Sequence, residues 1–152
     1  MDAVTYGDER VIKLVSDMIV PLRVAFGTQT LAGHFNVRET PTVILLDASG
    51  IEHHRITGFL PPEEFLPSIL LGISKASIYR DRFSAALVLL EKILMDYPKC
   101  ASVPEAIYLR GVCKYRSTYN SKSLKEAFEK LLVDYPTINW RKWAYPGRSL
   151  HG

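Results

Sequence analysis

The chain has 152 residues, of which 47% are hydrophobic and 23% charged, proportions that are ordinary for a globular protein. This length predicts one domain or two small ones, and every apolar run is far shorter than the roughly 18–20 residues that cross a bilayer, so we expect no membrane association. The net charge of +3 hides an asymmetry, because residues 1–72 carry 5 Lys/Arg and 9 Asp/Glu whereas residues 73–152 carry 14 and 7. That change of sign indicates two structural units, and because no basic run has interleaved aromatic residues, we expect no nucleic-acid partner.

The first elements predicted are a helix, a short strand and a second helix. Asp8 can cap the first helix, at residues 8–17, by accepting from the free amides of its first turn. The apolar face of this helix, at helical spacing, consists of Val11, Leu14, Val15 and Met18. Residues 20–26 are predicted as a strand with a proline near its start, where a missing donor costs least. Residues 28–35 are predicted as a short helix whose inner side carries Leu31, Ala32 and Phe35.

A proline turn and a hairpin follow. Thr40-Pro41 precedes a strand at residues 43–46 that is apolar on both faces, which predicts a central strand covered on two sides. Residues 47–50 are predicted as a hairpin loop, because glycine can take the positive φ that closes it. Residues 51–57 then return antiparallel to the first strand.

Four helices are predicted in the remainder of the chain, at about 62–79, 83–96, 104–117 and 121–134. The first begins at Pro61-Pro62-Glu63-Glu64, where proline suits the first turn and the carboxylates favour the positive end of the helix dipole. Adjacent helical residues do not face each other, so the two glutamates are not expected to form a catalytic pair. The buried face of this helix is predicted to be Phe65, Leu66, Ile69 and Leu70.

The order of elements over residues 1–72 resembles a thioredoxin-like domain from its first helix onward. The opening residues and Val20-Pro21-Leu22-Arg23-Val24 resemble the segment that follows Cys-x-x-Cys-Lys-Lys-Met in such proteins. The resemblance implies that the Thr40–Pro41 bond is cis and that this loop pairs with a peptide backbone. It also implies a central strand and a Cys-x-x-Cys motif before residue 1; the chain itself contains no Cys-x-x-Cys.

Without that central strand, backbone donors and acceptors would be left unpaired on both neighbouring strands, which is costly. Three outcomes follow: residues 20–24 close up against 42–46, a strand from another copy fills the gap, or the sequence is a fragment. We expect closure or strand exchange, and strand exchange would give a homodimer.

The helical half contains an internal repeat. Residues 91–98 and 129–136 share Glu-Lys-x-Leu-x-Asp-Tyr-Pro at an offset of 38 residues, and such a period is typical of stacked helix pairs. The positions that resemble a tetratricopeptide repeat are Ala86, Leu90, Pro98, Gly111, Tyr115, Leu124, Phe128 and Pro136. The expected fold class is therefore α/β, a truncated thioredoxin-like fold in residues 1–72, followed by all-α tetratricopeptide-like repeats in residues 73–152. The end of the stack is expected to be capped by Trp140, Trp143 and Tyr145.

The cysteines and the paired histidines are not expected to form a functional site. Cys113 lies in an apolar helical register and Cys100 in a loop, so neither is expected to have a redox role. His53 and His54 are adjacent in a strand and point to opposite faces, so we expect a solvated strand with one half-buried imidazole and no shared metal. No cofactor is expected. Two cysteines and no basic, apolar leader favour a reducing, cytoplasmic location.

A basic groove is a second candidate site. Arg110 and Lys114 stand four residues apart on one helix face and, with Arg80, could bind an acidic peptide or C-terminus. Arg82 and Arg116 belong to the same set of basic residues. The simpler interpretation of these charges is a solvated face.

Disulfide exchange needs an activated thiolate with a second thiol nearby, and the chain shows no such pair. We therefore expect a non-catalytic thioredoxin-like and tetratricopeptide-like module that binds a protein or peptide partner, with Thr40 and Pro41 in the peptide-binding loop. The alternative is a fragment of a thiol–disulfide oxidoreductase whose Cys-x-x-Cys lies upstream of Met1.

Overall fold

The computed structural model describes residues 4–25 and 29–139. Within these residues the elements are α1 Glu9–Met18, α2 Gln29–His34, β1 Thr42–Leu46, β2 Glu52–Thr57, α3 Pro62–Tyr79, α4 Phe83–Asp96, α5 Val103–Thr118 and α6 Lys122–Asp134. A small sheet and its helices therefore precede a helical region, as predicted. None of the helices in the described ranges is long and apolar enough to span a membrane.

Helix α1 begins as its sequence predicts, and Val11, Leu14 and Val15 pack inward, whereas the prediction for Met18 is wrong because that side chain is 44% exposed. The Asp8 carboxylate accepts from the backbone N–H of Arg10 and thereby caps the first turn. The Arg10 guanidinium lies 2.8 Å from Asp8 and 3.0 Å from Glu63, so it joins the start of α1 to the first turn of α3. Val11 is buried in a core formed with Ile56, Phe65, Leu66 and Ile69.

The strands β1 and β2 form the predicted hairpin. They pair antiparallel with Val43 opposite Ile56, and the register shifts between Leu45 and Leu46. The Asp47 carboxylate accepts from the backbone N–H groups of Ser49 and Ile51, while Gly50 takes a φ of 80° that favours glycine. The turn is therefore fixed locally by its own side chain and by glycine.

Two predictions about the sheet are wrong. Residues 20–25 form no strand, and Val20 and Leu22 are 94% and 83% exposed. The sheet in the described part of the chain has two strands, so β1 is an edge strand instead of a central one, and residues 20–24 do not close against it. Both errors have one cause: a strand needs a partner, and apolar residues alone do not supply one.

Helix α3 packs against both the sheet and the helical region. Its bounds are those predicted, and its first apolar residues are buried. At Gly72 an added Cβ would lie 2.8 Å from His54 Cβ and 2.9 Å from Leu45 Cδ2, so glycine is what lets α3 approach the sheet this closely. The expected boundary at residue 72 falls inside this helix, and α3 also packs on α4.

The internal repeat corresponds to a structural repeat. The helices α4 and α6 each bury the third residue of the shared pattern, Ile93 and Leu131, and each pairs lysine with aspartate four residues later. Each helix ends at an aspartate and is followed by a tyrosine at the C-cap, Tyr97 or Tyr135, with φ near −130°. The predicted cap of Trp140, Trp143 and Tyr145 lies outside the described residues.

Candidate functional site

The Thr40–Pro41 loop lies at the start of β1, and both residues are exposed. The peptide bond between them is cis. The Pro41 carbonyl accepts from the N–H of Gly58 at 2.8 Å, and the Thr42 hydroxyl donates to the Glu39 carbonyl at 2.6 Å. These bonds hold the loop against the exit from β2 and leave Thr40 facing outward.

The outer edge of β1 continues from this loop. Hydrogen-bonded and non-hydrogen-bonded pairs alternate along an antiparallel ladder. Pro41 and Gly58 form a hydrogen-bonded pair, so the next hydrogen-bonded pair along the ladder is Val43–Ile56. The residues between and after them, Thr42 and Ile44, therefore point their N–H and C=O groups away from β2. No strand occupies that side among residues 4–25 and 29–139. Among the described residues the edge therefore presents unpaired backbone groups beside an exposed proline loop, a template for an extended peptide.

The two histidines have separate partners, and the expectation of a solvated strand is wrong. The His53 imidazole lies 2.8 Å from the Asp47 carboxylate, with side-chain exposures of only 6% and 5%, and its ring centroid is 5.0 Å from that of Tyr79. The hydrogen bond from His53 is the main reason that the pKa of Asp47 lies below its usual value. This Asp–His pair stabilises the hairpin, and no pattern in the sequence indicated it.

His54 lies on the face of the sheet that contacts α3. Its Nε2 is 2.8 Å from Ser68 Oγ and its Nδ1 is 3.2 Å from Lys75 Nζ. Since an ammonium group can only donate, Nδ1 accepts and Nε2 carries the proton. Burial lowers the pKa of His54 to about 4. The same lysine is 2.8 Å from Glu105 on α5, which completes a polar chain from the sheet to the helical region.

Both cysteines are buried in the helical region and carry no disulfide. Burial raises the pKa of Cys113 to about 12 and also raises the pKa of Cys100. A thiol with a raised pKa is a poor nucleophile at neutral pH. No group of three or more potential metal-ligating side chains occurs in the described part of the chain.

The basic residues of the helical half lie in different surroundings. Arg110 and Lys114 both face Glu91, at 3.4 and 4.0 Å. Arg116 is 3.2 Å from Asp81 and its guanidinium lies over the Phe83 ring. Arg80 and Arg82, by contrast, line an open cleft beside the hairpin turn. The sequence could not separate these groups, because each pairing depends on which helix lies opposite.

The comparison with known families agrees with the architecture of the first half. Residues 8–70 match a family model described as a thioredoxin-like domain. No curated protein and no solved structure matched the chain. The tetratricopeptide resemblance of the second half thus depends on the repeat itself. The match, the two-stranded sheet and its helices together identify residues 8–70 as a truncated thioredoxin-like fold, which is followed by a helical region.

Proposed function

We propose that this chain is a non-catalytic protein-interaction module in which an extended peptide of a partner protein pairs with the outer edge of β1. The observation that carries the proposal is the row of outward-facing backbone groups at Thr42 and Ile44, which no strand covers within the described ranges. Strand addition satisfies such groups with main-chain hydrogen bonds, and side-chain contacts then select the partner. Thr40 and Pro41 stand at one end of this edge, where they would contact the bound segment.

The cysteines support a non-catalytic role for the residues present. Cys100 and Cys113 are buried, and the pKa of each thiol is raised by burial. Thiol–disulfide exchange requires an accessible thiolate. We therefore expect no turnover in an insulin-reduction assay with this polypeptide at neutral pH. Turnover above that of a Cys100→Ser/Cys113→Ser variant would contradict the proposal and favour the oxidoreductase alternative.

A second copy of the chain is a particular partner that one observation favours. Val20, Leu22 and Val24 alternate along a segment that forms no strand within the described residues, and they are 94%, 83% and 43% exposed. Such a segment could pair with the β1 edge of another copy, with the exchange repeated in the other direction. A partner peptide and a second copy would occupy the same edge. Only occupancy by a second copy rises with the concentration of the chain alone, so this dependence distinguishes the two.

Amide hydrogen exchange tests the proposal at single residues. Linear peptides are selected from a random display library against the chain, and exchange is followed with and without a selected peptide. We expect the amides of Thr42 and Ile44 to gain protection while those of Val43 and Leu45, already bonded to β2, stay unchanged. Protection that rises with chain concentration alone would assign the edge to a second copy. The proposal would be refuted if the library yielded no binding peptide, or if Thr42 and Ile44 gained no protection either with a selected peptide or at high chain concentration.

Two proline variants provide the matched control. Thr42→Pro removes an outward amide from β1, whereas Thr57→Pro removes the corresponding amide from the outer edge of β2, in the same cross-strand pair. Only Thr42→Pro should weaken binding of the peptide. Equal weakening by both variants, with both folded by circular dichroism, would place the peptide elsewhere.

A further inference from the structure

A cleft separates the hairpin turn from the C-terminal half of α3, at the end of β1 remote from Pro41. It encloses about 220 Å³ and is open to solvent. Its walls are the turn between β1 and β2, one face of α3 and the connection from α3 to α4. The residues that line it are Asp47, Ala48, Ile73, Ala76, Ser77, Arg80 and Arg82.

The positive charge of this cleft is not neutralised from within. Arg80 and Arg82 are exposed, and neither forms an ion pair with a carboxylate in residues 4–25 or 29–139. The acid among the lining residues, Asp47, already has both oxygens occupied: Oδ2 by His53, and Oδ1 by two backbone N–H groups of the turn. Asp81, which lies between the two arginines in the chain, is paired with Arg116. Arg110, by comparison, faces Glu91 on the neighbouring helix. The two arginines are therefore available to an external anion.

The chemistry of the walls favours a carboxylate on a flexible side chain. Ile73 and Ala76 offer apolar surface for methylene groups, while a guanidinium binds a carboxylate through two parallel hydrogen bonds. The Asp47 carboxylate beside the cleft repels a doubly charged phosphate more strongly than a singly charged carboxylate. From this arrangement we infer that the cleft binds an acidic side chain of a peptide, at a site separate from the β1 edge.

Fluorescence anisotropy with a short glutamate-rich peptide tests this inference, with its glutamine counterpart as the uncharged probe. The glutamate peptide should bind and the glutamine peptide should not. The double variant Arg80→Gln/Arg82→Gln should weaken binding by at least about tenfold, the loss expected for a charge-assisted bidentate contact. Arg110→Gln, which removes a cation already paired with Glu91, should leave binding unchanged.

A charge change on the rim gives a test that spares the arginines. Ala48 is exposed in the turn, so Ala48→Glu should weaken and Ala48→Lys should strengthen binding of the glutamate peptide. Equal binding by wild type and the double arginine variant, or a failure of wild type to bind, would overturn the inference. Displacement of the peptide by inorganic phosphate at lower concentration than by glutarate would also overturn it, in favour of a phosphate site. Each outcome is independent of amide protection at Thr42 and Ile44, so the two proposals can fail separately.

Discussion

At the scale of single residues, His54 is the clearest case of a side chain whose state is set by its neighbours. It lies between Ser68 and Lys75, and burial lowers its pKa from 6.5 to about 4. The nearby lysine charge acts in the same direction, because it disfavours a second positive charge. The imidazole is therefore neutral at physiological pH and serves as a fixed hydrogen-bonding group.

This shift makes stability depend on pH. Between pH 6.5 and pH 4 the unfolded chain binds a proton at His54 that the folded chain does not, so stability should fall as the pH decreases through this range. The loss attributable to His54 amounts to roughly 2–3 kcal/mol. Urea unfolding at several pH values measures it. His54→Gln should flatten the dependence of the free energy of unfolding on pH. His34→Gln, which replaces an exposed histidine, should leave that dependence unchanged. An unchanged dependence in His54→Gln would show that other groups cause it.

At the scale of elements, the helical region depends on one close approach between α5 and α6. A Cβ added at Gly111 would lie 2.6 Å from Ala127 Cβ and 3.1 Å from the Ser123 carbonyl oxygen. Real side chains do not approach so closely in a packed interior, so α6 would have to move. The glycine that the repeat pattern marks as a small position is thus required by the distance between two helices.

Gly111→Ala should therefore destabilise the protein, although alanine is the better helix former. Overpacking costs about 1–3 kcal/mol, and the gain in helix propensity recovers at most about 1 kcal/mol. Gly33→Ala is the control, because Gly33 is also helical and has nothing within 4 Å of the added Cβ; it should be neutral or slightly stabilising. Thermal unfolding compares the two variants. Ala127→Gly should rescue Gly111→Ala, and failure to rescue would mean that Ala127 is not the obstacle.

At the scale of the whole molecule, the thioredoxin-like part and the helical region are joined by α3 and by polar contacts across it. Lys75 connects His54 of the sheet to Glu105 of α5, and the Glu64 carboxylate accepts from the N–H of Ala101 at 2.9 Å. These contacts fix the helical region against the sheet without a flexible linker.

The two parts should consequently unfold in one transition. Leu90 is fully buried in α4, so Leu90→Ala should cost about 2–5 kcal/mol. We expect it to accelerate amide exchange in β2 as well as in α4, since both belong to one cooperative unit. Val88→Ala, at a position on the same helix that is 69% exposed, should change neither the stability nor the exchange rates in β2 and α4. Exchange in β2 that stays at its wild-type rate in Leu90→Ala would show that the two parts unfold independently.

Local signals in the sequence determined most of the secondary structure. The Pro-Pro-Glu-Glu start and the helical periodicity are sufficient to predict where α3 begins and ends. The period of 38 residues is sufficient to predict that α4 and α6 are equivalent helices. The turn at Asp47 follows from a side chain that caps its own loop. These features could be predicted because each depends on residues that are neighbours in the chain.

Only the tertiary structure decided which groups meet. An alternating apolar segment at 20–24 predicts a strand, but a strand forms only where a second one pairs with it, and none does within the described residues. The missing central strand already predicted an unpaired edge at residues 42–46, but whether residues 20–24 would cover that edge depended on packing that the sequence does not show. Arg80 and Arg110 look alike in the sequence, yet in the part of the chain that the structure describes a glutamate lies opposite Arg110 and none pairs with Arg80. Hydrogen bonds and ion pairs between distant residues act over a few ångströms, so they depend on the packing of the elements, whereas helices and turns are fixed by local sequence.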